Sequence, residues 1–287
     1  DWNDRLIGIK GTRGEGKTTF LLQYAKEKFG TDRSCLFINM NNFYFSGHSI
    51  VDFAYEFQRR GGKVLLIDQV FKHPDWSKEL RLCYDRFPNL KIVFTGSSVM
   101  RLKEENLELR DIVKSYNLRG FSFREYLNLQ TGMKFRCYSL EEILSNHEQI
   151  AKGILSKVRP LDYFQDYMHH GFYPFFLEKR NFSENLLKTM NMMVEVDILL
   201  IKQIELKYLS KIKKLLYLLA VDGPKAPNVS QLANDIQTSR ATVMNYIKYL
   251  ADARLINMVY PKGEEFPKKP SKIMMHNSNL MYSIYPV

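Results

Sequence analysis

The sequence predicts an α/β fold: a mainly parallel sheet, then a helical extension, then a small C-terminal domain of two helices and a β-ribbon. Three observations carry that prediction. The first 120 residues alternate short apolar runs with amphipathic stretches, the succession expected of strands and helices. After Gly120 the strand signals stop and helical patterns follow one another. Then Asp222-Gly223-Pro224-Lys225-Ala226-Pro227 interrupts the helical run as a linker. The expected divisions are 1–120, 121–221 and 222–287.

Leu6–Ile9, Cys35–Ile38, Val64–Ile67 and Ile92–Phe94 read as strands, with a fifth near Lys114–Leu118. Their apolar runs are continuous rather than alternating, which suits strands covered by helices on both faces. Between them, Thr18–Phe29, Ile50–Arg60 and Trp76–Phe87 have helical spacing. Ser122-Phe123-Arg124-Glu125 and Ser139-Leu140-Glu141-Glu142 each fit a capping box, in which Ser and Glu satisfy free backbone amides reciprocally. Further helices are expected at Leu161–His170, Ser183–Ile201 and Leu206–Val221.

At 287 residues the chain exceeds the usual size of one core. With 45% hydrophobic and 25% charged residues it is globular rather than disordered. No apolar run approaches the roughly 20 residues of a membrane helix, and no basic-then-apolar leader opens the sequence. Cys35, Cys83 and Cys137 stand at no metal or redox spacing, which predicts a reducing, cytoplasmic setting. Net charge is +11, and positions 201–287 hold thirteen basic against six acidic residues. Such an excess attracts a polyanion such as DNA, and equally serves as a solvated surface.

Gly11-Thr12-Arg13-Gly14-Glu15-Gly16-Lys17-Thr18 matches the full G-x-x-x-x-G-K-[ST] pattern, after a strand and opening a helix. Glycines there let backbone N–H groups curl around phosphates, aided by the positive end of the helix. The expected cradle is Gly11, Thr12, Arg13, Gly14, Glu15, Gly16, Lys17, Thr18 and Thr19, with Lys17 on the β- and γ-phosphates. Thr18 offers a hydroxyl to Mg²⁺, and Asp68, ending Val64–Ile67, is the second metal-facing group. ATP with Mg²⁺ is the expected ligand; adenine is chosen only because no guanine-reading N-K-x-D motif occurs. ATP hydrolases of this class usually follow the Asp with a Glu. Here Gln69 follows, and an amide positions a water without accepting its proton. Thr95, or else Ser97, sits where a strand end faces the γ-phosphate, although a plain helix cap before Val99–Lys103 fits the same residues.

Together Gly11–Thr19, Leu66–Val70, His73-Pro74-Asp75-Trp76, Thr95–Ser98 and Gly120–Leu127 resemble the prokaryotic AAA-type ATPases. In that family a P-loop domain precedes helices and a winged helix, often followed by a restriction-endonuclease-like domain. The resemblance implies an ATP hydrolase whose cycle moves the winged helix, with Gln69 in place of the family's Glu slowing turnover. It finds no counterpart of the endonuclease-like segment before Val287 and matches the family's usual arginine only imperfectly, at Arg110. A nucleotide-gated switch with negligible turnover remains the alternative, and a P-loop kinase a weaker one. Homo-oligomerisation stays open.

The last segment reads as a winged helix on its own residues. Ser230–Ile236 is a first helix, Gln237-Thr238-Ser239 a turn and Arg240–Ala253 a second helix. Leu255–Tyr260 and Lys272–His276 pair as a wing. Ser239, Arg240, Thr242, Asn245 and Lys248 would face a DNA major groove. Packing between modules is the bland alternative. His169-His170 lacks a third ligand, and Lys268-Lys269 fits a solvated turn or a phosphate contact.

Overall fold

The computed structural model describes residues 2–100, 102 and 106–285. Five strands form one parallel sheet: β1 (Leu6–Gly11), β2 (Cys35–Asn39), β3 (Val64–Asp68), β4 (Lys91–Ser97) and β5 (Lys114–Asn117). Their order is β2-β3-β4-β1-β5. The first helices are α1 (Lys17–Lys28), α2 (Ile50–Arg59) and α3 (Trp76–Arg86). The side-chain alternation of each strand feeds two separate cores. Leu65, Ile67, Ile92 and Phe94 pack with Ile50 and Ala54 of α2 and Leu80 of α3. Val64, Leu66 and Val93 pack with Ile7, Ile9 and Leu21 of α1 on the other face. Burial on both faces is why these strands read as unbroken apolar runs.

The order sets the site. β1 pairs with both β4 and β5, so its carboxyl end lies in mid-sheet, one strand from the end of β4 and two from that of β3. Ligands of open parallel sheets bind beyond such carboxyl ends.

Helices follow the sheet: α4 (Phe123–Thr131), α5 (Leu140–Leu155), α6 (Leu161–Asp166), α7 (Phe182–Met192), α8 (Leu199–Lys202) and α9 (Leu209–Asp222). Both expected capping boxes form, Ser122 with Glu125 and Ser139 with Glu142. The helix expected over Leu161–His170 changes to a π-helical turn at Tyr167–Gly171, and a second such turn, Met193–Ile198, joins α7 to α8. The chain ends with α10 (Val229–Asp235), α11 (Arg240–Asp252), the antiparallel pair β6 (Ile256–Val259) and β7 (Lys272–Met275), and α12 (Ser278–Ile284). One apolar core runs through Leu186, Val194, Leu215, Ile247, Ile256 and Leu280, so helices on either side of Asp222 pack together. Among the described residues no helix is long and apolar enough to cross a membrane.

The helix that the alternative reading of the Thr95–Ser98 turn would open is not seen at its described residues. In Val99–Lys103, Ser98 and Val99 form a turn and Met100 is not helical, while Arg101 and Lys103 lie outside the described residues. The reason is anchoring: Val99 is buried in the helical core and Met100 in the sheet core, and the Ser98 N–H donates to the Gly11 carbonyl (3.1 Å).

His276, just after β7, lies with Nδ1 2.9 Å from Asn257 Oδ1. Burial, then the charges of Arg254 and Arg119, hold it down to about 4, so the fold keeps it neutral. The unfolded chain takes up that proton near pH 6.5 and the folded one does not. Stability from this group is therefore complete above that pH and is lost as pH falls toward 4. We expect His276→Gln to flatten the acid limb by on the order of 2 kcal/mol. Urea unfolding at pH 7 and pH 4.5 checks this, and identical slopes in both proteins would contradict it.

Candidate functional site

The turn between β1 and α1 works because two of its glycines have left-handed backbone, Gly14 at φ 81° and Gly16 at φ 91°. Gly16 is also the N-cap of α1 and makes no side-chain cap, so the first amides of the helix remain available to an anion. A methyl group on Gly14 would lie 2.8 Å from the Phe175 ring. This position therefore requires glycine for space as well as for φ.

Lys17 Nζ donates to the carbonyls of Gly11 (2.8 Å) and Thr12 (2.6 Å), which fold its side chain over the loop. Burial depresses it to about 8, partly offset by Glu15, Asp197 and Asp68. Asp68, at the end of β3, is 1% exposed and fully engaged. Its Oδ2 accepts from Thr18 Oγ1 (2.8 Å) and Asn39 Nδ2 (3.0 Å), and its Oδ1 from Thr95 Oγ1 (2.5 Å). Thr95 Oγ1 in turn accepts the Gln69 N–H (2.9 Å). Thr95 thus ties the ends of β3 and β4 together. Gln69 has left-handed backbone (φ 55°, ψ 47°), a conformation that costs a non-glycine residue roughly 1 kcal/mol.

These groups meet at one cavity of about 530 Å³, a size suited to a nucleotide. Arg13, Gly14, Gly16, Lys17, Thr18 and Thr19 line it from the loop, and Asp68, Gln69, Thr95 and Ser97 from the strand ends. Gly11, Thr12 and Glu15, expected in the cradle, do not line it. The Glu15 side chain turns back to accept the Thr12 N–H (2.6 Å) and meets Arg254 Nη1 at 3.4 Å. Burial raises its carboxyl, against the pull of Arg254. Arg110 follows the short turn Leu107–Leu109, is exposed and does not line the cavity.

The opposite wall comes from the helical region: Pro174, Phe175, Leu177, Glu178 and Asp197. Asp197 Oδ1 accepts from Arg13 Nε (3.0 Å) and Nη2 (2.8 Å), and its Oδ2 lies 3.4 Å from Ser97 Oγ. Sequence reasoning missed Asp197, Asn39 and Arg254. Asp197 had a weak signal, one of two acids in the otherwise apolar Met193–Leu200; Asn39 had another, a polar residue ending an apolar strand. Arg254 had none. It reaches Leu118 O (2.8 Å) and Asn117 Oδ1 (3.0 Å) from a left-handed residue after α11 (φ 56°).

Oxygen donors at Thr18 and Asp68 suit a hard cation, and the pair is within hydrogen-bond reach. Elsewhere, among the described residues, no group of three or more His, Cys, Asp or Glu could hold a metal. His169 instead stacks on Tyr282 with centroids 3.9 Å apart.

A five-stranded parallel sheet with the Gly11–Thr18 turn between β1 and α1 defines the fold class. Residues 3–127 match the family model described as an AAA domain. Residues 161–283 match a family described as Domain of unknown function (DUF8612). The chain is similar to an uncharacterized protein, MJ1637, of Methanocaldococcus jannaschii, 30% identical over 279 residues. That similarity covers 91% of this chain and 58% of the relative, so the chain spans little more than half of the relative's length. Among solved structures it is similar to the Aeropyrum pernix ORC1 protein in complex with DNA (11% identity, TM-score 0.37, covering 98% and 86% of the two chains). It is also similar to AMPPCP-bound DnaA from Aquifex aeolicus (12% identity, TM-score 0.33, covering 87% and 82%). Both of these likenesses are distant.

Proposed function

We propose that the chain binds ATP with Mg²⁺ in this cavity, hydrolyses it slowly, and passes its nucleotide state to the C-terminal elements. The observation that carries the reading is the convergence of Lys17, Thr18 and Asp68 on one cavity at the positive end of α1. Lys17 binds the β- and γ-phosphates, and the free amides of the turn hold the rest of the charge. Thr18 and Asp68 hold the metal, which when bound neutralises charge on the phosphates. Gln69 orients the attacking water but accepts no proton, which limits turnover. That last point also favours the second reading, a nucleotide-gated switch that hardly turns over.

Two contacts support coupling. Arg13–Asp197 joins the loop to the helical core, and Glu15–Arg254 joins it to the turn after α11. We read α10, α11 and the β6–β7 ribbon as a winged helix. Ser239, Arg240 and Asn245 are exposed, Thr242 and Lys248 half-buried, and Lys248 Nζ stands 4.4 Å above the Phe266 ring. Together with the basic excess after residue 200, this supports DNA as partner.

Steady-state phosphate release with Mg²⁺, with and without duplex DNA, tests the scheme. Slow release above background supports the hydrolase, and none supports the switch. DNA affinity should fall steeply with salt and fall further in Arg240→Ala combined with Lys248→Ala. Salt-independent binding, or none at low salt, leaves these elements a packing role.

A further inference from the structure

We propose that Arg13 is the arginine that stabilises the γ-phosphoryl group of bound ATP, and that Asp197 holds it in reserve while the site is without nucleotide. The inference rests on the cavity being an ATP site. Arg13 is the third residue of the turn and, among the described residues, the one arginine lining the cavity, which it shares with Lys17, Asp68, Gln69, Thr95 and Ser97. Its guanidinium therefore borders the same cavity as the residues we assign to the metal and the water. Arg110, the residue suggested by resemblance, is not there.

Asp197 marks what this guanidinium is built to bind. Its side chain is 4% exposed, yet it carries a carboxylate facing Arg13, with Lys17 and Lys72 near enough to act on it electrostatically. Three cations around one buried carboxylate make an anion-binding pocket occupied by the protein's own anion. Burial raises the Asp197 carboxyl, against the pull of Arg13, Lys17 and Lys72, so its charge is held there at a cost. A γ-phosphoryl group brings more charge and three oxygens, and matches the planar guanidinium fork at least as well as one carboxylate. It displaces Asp197 from Arg13. ADP lacks that group and does not. Asp197 sits on the π-helical turn Met193–Ile198, a kind of turn found often at functional sites, inside the core that also holds α11 and β6. Release of Arg13 is thereby felt in the C-terminal elements.

In the reaction, water oxygen bonds to the γ-phosphorus as the bond to the β–γ bridging oxygen breaks. The electron pair leaves with ADP, and the water proton passes to phosphate and solvent. Arg13 donates hydrogen bonds to the γ-oxygens and makes no covalent bond. An arginine so placed contributes about 10³-fold or more to turnover in related phosphoryl transfers.

Calorimetric affinities for MgATP and MgADP, with single-turnover hydrolysis rates, test the assignment. Arg13→Ala should reduce the preference for ATP over ADP at least tenfold and slow hydrolysis at least tenfold. Arg13→Lys should recover part of the affinity and little of the rate, because a point charge lacks the fork. Asp197→Asn, nearly isosteric, should raise the ATP preference at least threefold, and the double variant Arg13→Ala/Asp197→Asn should behave as Arg13→Ala. If the pair merely staples the helices to the turn, both single variants lose thermal stability while the ATP-to-ADP ratio and the rate stay at wild-type values. That result overturns the proposal. Failure of the wild-type protein to bind either nucleotide would instead overturn the ATP site itself.

Discussion

Lys17→Ala is expected to weaken ATP binding at least tenfold, a loss of about 1.4 kcal/mol or more. Lys17 donates to two backbone carbonyls of its own turn and is depressed by burial to about 8. Its charge therefore costs the fold something, and removing it should not unfold the protein. Phosphates reverse the balance, because they supply the anions that a buried ammonium lacks. Lys17→Met, which keeps the stem and loses the charge, should match Lys17→Ala in affinity. Calorimetric titration with MgATP checks both. Wild-type affinity in either would place the nucleotide elsewhere.

Much of this site is legible in the sequence because its parts are local. The phosphate-binding turn is contiguous, Asp68 and Gln69 end an apolar run, and Thr95 ends another. Apolar runs announce β1 to β4, and burial on both faces leaves β3 and β4 no polar side, whereas β5 (Lys114–Asn117) is polar and largely open. What the sequence hides is long-range. Asp197 is 184 residues from Arg13, and Arg254 is 239 from Glu15, so no local pattern joins them. The alternative reading, a helix cap before Val99–Lys103, is not met at Val99 and Met100 for the same kind of reason: they are claimed by different cores, which local propensity does not encode. The π-helical turns are similarly invisible, since helical spacing alone does not reveal where a register slips.

Gln69→Glu is expected to raise steady-state phosphate release at least tenfold with little change in ATP affinity. The two side chains are nearly isosteric, and both residues carry the same modest penalty at φ 55°. None of the bonds to Lys17, Thr18 or Asp68 involves the side chain of residue 69. Its N–H, bonded to Thr95, is retained whatever the side chain. The substitution therefore changes one thing: a group that orients water becomes one that also takes its proton, a step that contributes typically 10²–10⁴-fold. Affinity should loosen slightly, since the new carboxylate lies near the γ-phosphate. Gln69→Gly, which relieves the backbone but removes the side chain, should show no gain. If Gln69→Glu leaves phosphate release unchanged, the proton acceptor lies elsewhere and this strand end does not govern turnover.

The most direct test of the account is a calorimetric titration of the wild-type protein with ATP in the presence and absence of Mg²⁺. One ATP per chain, bound more tightly with Mg²⁺ and lost in Lys17→Ala, is the result predicted from the meeting of Lys17, Thr18 and Asp68 at one cavity. Absence of binding, or binding indifferent to both Mg²⁺ and Lys17, would contradict it.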